Sequence, residues 1–81
     1  DIASLIDTMK QHNVSDDDIT SLQEAIEKDS DSSEVQAGKL GNGVSTWMGN
    51  MVTKAASTIW DVIVGAAGSL LATAIGNFYG F

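Results

Sequence analysis

Eighty-one residues with four lysines, no arginine and eleven acids carry a formal net charge of −7, which excludes nucleic acid as a partner because phosphate neutralisation needs clustered Lys or Arg. A chain this short buries only about 60% of its unfolded surface, so its own core is marginal and support from a membrane or from other copies is expected. Without cysteine neither a disulfide nor a thiolate metal site can supply that support.

The chain starts at Asp1 without the basic-then-apolar pattern of a secretory signal, and we expect it to be a piece of a longer protein. Ile2, Leu5, Ile6 and Met9 recur at helical spacing and predict a first helix of about three turns ending near His12-Asn13. Ser15 followed by Asp16, Asp17 and Asp18 has the form of an N-cap with a carboxylate at N3 and three acids facing the positive end of the helix dipole. Val14 and Ile19 then stand at N′ and N4, the places of a hydrophobic staple. That cap also accounts for Asn13-Val14-Ser15, which matches a glycosylation sequon. A second helix continues through Leu22, Ala25 and Ile26, so residues 1–28 are expected to form an acidic, antiparallel helix pair.

Residues 29–43 are rich in Ser, Asp and Gly and break both periodicities, as a linker does. Their opening, Asp29-Ser-Asp-Ser-Ser, has the look of a calcium loop, but Glu34 stands where the turn glycine is needed and Leu40 where the bidentate Glu is needed. No metal site follows from it.

Residues 44–81 form the third segment. From Leu40 onward the only charged side chains are Lys54 and Asp61, and Val62–Phe81 carry none, so the whole net charge belongs to residues 1–39. The segment contains no Pro and would be about 54 Å long as one helix to Tyr79. Met48, Val52, Ala55, Ile59, Ile63, Ala66, Leu70, Ala74 and Phe78 trace an apolar stripe. Asn50, Thr53, Ser57, Asp61, Gly65, Ser69 and Thr73, with Thr46 before them, trace an opposing stripe that is small and polar. Gly68, Ala72 and Gly76 repeat at intervals of four, which lets helix backbones approach closely in membranes; Gly65 extends that set of packing candidates. Each interior glycine costs about 1 kcal/mol relative to Ala, so the helix needs packing to persist. Trp60 at one end of the run and Phe78, Tyr79 and Phe81 at the other lie about 27 Å apart on a helix, a spacing that suits interfacial aromatics of a bilayer, with Trp47 one further candidate.

The expectation from the residues is an all-α chain whose long Gly- and Ala-rich helix, continuous or broken at Gly65–Gly68 into a hairpin, self-associates in the bacterial inner membrane. Asn50, Thr53, Ser57, Asp61, Ser69 and Thr73 would line a pore, with Asp61 forming a carboxylate ring that favours cations. The alternative is a soluble helical oligomerisation module in the cytoplasm; a coat- or pilus-like subunit is the third, and the missing basic C-terminus counts against it. His12 is the only histidine and Cys is absent, so no nucleophile–base pair can be assembled; we expect neither catalysis nor a cofactor.

Val44-Ser45, Trp47-Met48-Gly49, Met51, Lys54-Ala55-Ala56-Ser57, Trp60 and the terminal Tyr79-Gly80 before an apolar last residue give this stretch a further meaning: it resembles the C-terminal region of bacterial abortive-infection proteins of the AbiTii-domain kind. The preceding residues 13–29 are similar to the capped helix that leads into that tail. The resemblance implies an anti-phage effector role, with a sensing or regulatory domain upstream as its partner. Membrane effectors paired with nucleotide second messengers, such as that of the Hailong system, are the second relation it suggests. It supplies no catalytic residue.

Overall fold

Leu5 and Met9 turn inward from α1 (Ile2–Gln11) in the computed structural model, which describes residues 2–32 and 40–80. The helix stops because Asn13 adopts a left-handed conformation with φ 64°. The N–H of Asn13 then donates to the Lys10 carbonyl at 3.1 Å and that of Val14 to the Met9 carbonyl at 3.0 Å. Together these bonds satisfy the orphan carbonyls of the last turn, and the apolar contact such a stop favours falls on buried Val14 and Met9. α2 (Asp16–Asp29) begins at the expected cap: Ser15 is extended and its hydroxyl accepts from the Asp18 N–H at 3.1 Å. Both members of the staple, Val14 and Ile19, are buried.

α3 (Asn42–Ala56) buries Val44, Trp47, Met51 and Ala55. Its N-terminus is capped from outside. Asp29, the last residue of α2 and the one buried charged residue among those described, accepts from Gly43 N–H at 3.1 Å and Val44 N–H at 2.8 Å. Two of the first orphan amides are thereby satisfied by a carboxylate at the positive end of the dipole. A Cβ on Gly41 would stand 2.6 Å from the Asp29 Cγ and one on Gly43 2.8 Å from its Oδ1, so both positions require glycine.

The apolar C-terminal segment is divided, and the division lies at Ser57–Ile63, upstream of Gly65–Gly68. Thr58 takes φ 63°, and Thr58 N–H donates to Ala55 O at 3.2 Å while Ile59 N–H reaches Lys54 O at 2.9 Å. The stop repeats the bonding at the end of α1, with a β-branched residue in place of Asn. α4 (Val64–Tyr79) then returns along α3, burying Ala67, Leu71 and Ile75, and closes at Gly80 with φ 80°. The four helices contact one another in the cyclic order α1–α4–α3–α2, with α2 against α3 the most extensive pairing and α1 against α2 the least. All four contribute to one apolar core. The Cα radius of gyration, 11.9 Å, is that of a folded chain of this length.

The division corrects the membrane expectation. Helices of 15 and 16 residues reach about 24 Å at most, short of the roughly 20 residues that a hydrocarbon core of about 30 Å demands. No helix among the described residues is long and apolar enough to cross a membrane. The transmembrane pore and the inner-membrane location inferred from the uncharged run therefore do not hold.

Asp29→Ala leaves two amides without their acceptor and should lower stability by about 1–3 kcal/mol in urea unfolding, Asp29→Asn by less, since one acceptor remains. Thr58→Gly should raise stability by about 0.5–1 kcal/mol: relief of left-handed strain worth about 1–2 kcal/mol exceeds the entropy cost of glycine. Burial of the Tyr79 hydroxyl, and next the nearby Asp29 carboxylate, push the phenol up from its ordinary value of 10.0. A raised folded-state value gives a contribution present below the unfolded value and lost as pH climbs through the folded one. Stability should thus decline above pH 10, and Tyr79→Phe should remove that part of the decline.

Candidate functional site

The two indoles fix the frame of the site. Trp60, between the exposed Ile59 and Asp61, is 3% exposed and its Nε1–H donates to the His12 carbonyl at 2.8 Å. Trp47 donates in the same way to the Asp18 carbonyl at 2.8 Å. Beside it, the Lys54 ammonium meets the Asp18 carboxylate at 2.5 Å. Both tryptophans are therefore internal anchors of the fold, which corrects their assignment to a bilayer interface: a buried indole has to find an acceptor, and each finds one on the α1–α2 half.

Because Trp60 grips His12, the C-terminal end of α1 lies beside the start of α4, and the two helices run antiparallel. Between them opens a groove of about 660 Å³. Its apolar surface comes from Leu5 on α1 and Leu70, Ala74 and Phe78 on α4; its polar edges come from Ser4, Thr8 and His12 on one side and Ser69, Thr73 and Asn77 on the other. The Thr8 hydroxyl is engaged with its own helix, donating to the Ser4 carbonyl at 2.9 Å. The lining contains no carboxylate and no amine, although the protein carries −7. Such a surface recognises by burial of apolar area, with hydroxyl and amide groups at the rim.

Of the six pore-lining candidates, the structure brings Ser69 and Thr73 together on this groove. Asn50, Thr53, Ser57 and Asp61 are exposed on α3 and the connection beyond it, and do not converge with them. They line no channel, because the segment that was to align them turns back on itself. Gly65, Gly68 and Ala72 are exposed and Gly76 is half-buried on α4; a Cβ at any of the three glycines would meet open space. Among the described residues no helix closes on the face these three glycines present. Phe78 and Tyr79 are half-buried and meet edge to face, centroids 5.0 Å apart. They close the far end of the molecule as packing residues, and Phe81 lies outside the described residues.

Sequence reasoning passed over Ser4, Thr8 and His12. They repeat at intervals of four beside the Leu5–Met9 stripe, so the signal was a polar flank on α1, meaningless until α4 is placed next to it. Among the described residues no group of three His, Asp or Glu side chains could hold a metal ion. No family model matches this chain, and no curated protein or solved structure matches it either.

Proposed function

We propose that the chain is a helical assembly module of a larger anti-phage defence protein, joining copies through the uncharged side made by α1 and α4. The observation that carries this is the coincidence of exposed apolar side chains with a groove and an α4 helix that carry no charged side chain. Ile59, Ile63 and Val64 are exposed, the groove beside them is lined without carboxylate or amine, Asp61 is the one acid next to them, and most of the remaining acids stand on α2. Like-charge repulsion opposes contact through that acidic helix and leaves the α4 side as the one on which two copies can approach. There Gly65, Gly68 and Ala72 keep the helix surface low. The resemblance of residues 44–80 to the AbiTii-domain tail supports the defence setting, with sensing assigned to an upstream region.

Magnitudes set the expected strength. Burying an exposed Ile or Val is worth about 1.5–3 kcal/mol, so the three together yield roughly 5–9 kcal/mol against an association cost of about 4–15 kcal/mol. Isolated copies should pair weakly, and tethering within a larger protein would raise their effective concentration.

Sedimentation equilibrium of the 81-residue chain up to about 1 mM is the test. Apparent mass should rise with concentration, and rise further with added salt, which screens the acidic faces beyond a Debye length of about 10 Å at 0.1 M. A constant monomer mass across that range overturns the proposal.

A further inference from the structure

Resting on the assembly reading, we infer that the α3–α4 connection of one copy seats in the α1–α4 groove of a second copy. Three of the four exposed large hydrophobic residues among those described fall within six positions: Ile59 and Ile63 on that connection and Val64 at the first residue of α4. Their exposure has a local cause. At the stop of α1 the residue following the left-handed position, Val14, bonds to Met9 and both side chains are buried in the core; at the stop of α3 the equivalent residue, Ile59, finds Lys54 in the place of the apolar partner. Lys54 is turned to Asp18. Ile59 is consequently thrown outward at 74% exposure, and Ile63 follows at 79%.

The connection is held firmly in that posture. Trp60, lying between the two isoleucines, is buried and bonded to His12, which also places the connection at the His12 end of its own groove. Plug and groove thus belong to one chain, yet both isoleucines stay outside the groove next to which they are anchored. A second copy can supply the plug that the first cannot give itself. The fit is one of chemistry as well as place. The groove offers Leu5, Leu70, Ala74 and Phe78 without a carboxylate or an amine, which suits apolar side chains such as those of Ile59 and Ile63. Asp61 is the sole charge of the connection and is exposed, so it can stay in water at the rim while the isoleucines enter. A connection whose backbone is already anchored by Trp60 also loses little backbone entropy on docking.

The chain has no cysteine, which permits a direct test. Ile63→Cys and Thr73→Cys variants are prepared separately, mixed, and oxidised. Cross-linked dimer in the mixture should exceed that from either variant alone several-fold; equal yields overturn the inference. In parallel, sedimentation of Ile63→Glu should show association weakened about tenfold or more, with helicity unchanged by circular dichroism because the side chain it replaces is exposed. If Ile63→Glu associates as the unaltered chain does, the plug-in-groove contact falls while the assembly module stands. If the unaltered chain never associates, both fall.

Discussion

Two indole N–H groups hold the halves of this protein together. In the N-terminal half α2 carries most of the negative charge while α1 balances Asp7 with Lys10, and the apolar helices α3 and α4 carry most of the grease. Neither half can complete a core alone in a chain this small. Trp47 reaches the first turn of α2 and Trp60 reaches the end of α1, each burying a large ring and spending its one polar atom on a backbone carbonyl of the other half. Asp29 adds the reverse connection, a carboxylate from α2 on the amides that open α3. Every later feature, from the antiparallel course of α4 beside α1 to the groove between them, follows from where these contacts put the chain.

The uncharged run Val62–Phe81 is explained by the same arrangement without a bilayer. Ala67, Leu71 and Ile75 fill the core, while the opposite side of α4 keeps Gly65, Gly68, Ala72 and Thr73 exposed. An ordinary surface helix would place Lys and Glu there. Their absence leaves a neutral side on an otherwise acidic molecule, and that contrast is the physical basis of the assembly proposal. The groove and the connection beside it add relief and apolar area to what would otherwise be a smooth face.

Much of the first thirty residues was legible in the sequence, because their signals are local. The α1 stripe, the Ser15 cap and the Val14–Ile19 pair each need only three to five neighbouring residues to be recognised; the cap and the pair are found as expected, and of the stripe Leu5 and Met9 are buried and Ile6 half-buried while Ile2 is exposed. The turn between α3 and α4 was not legible. Its stop sits at Thr58, a β-branched residue in a conformation that Gly or Asn normally marks, and the apolar periodicity runs in phase across it from Met48 to Phe78. Tertiary contacts, chiefly the Trp60–His12 bond, outweigh that local preference. Gly41 and Gly43 had the opposite character: punctuation in the sequence, they prove to be room for the Asp29 carboxylate, a requirement set by a residue twelve or more positions away. The groove was legible only on one wall. Ser69, Thr73 and Phe78 stood out on the apolar segment, whereas Ser4, Thr8 and His12 gain meaning from a helix more than fifty residues distant in the chain.

The indole bonds can be observed one proton at a time. Hydrogen exchange at the Nε1–H groups of Trp47 and Trp60, followed by NMR on the 81-residue chain, reports whether each is sealed against a carbonyl of the acidic half. Both should be protected to the level of the core amides of Leu71 and Ile75, opening only when the whole fold opens. Exchange of either indole at the rate of a solvent-exposed tryptophan would contradict the account, since the two halves would then not be joined where the structure joins them.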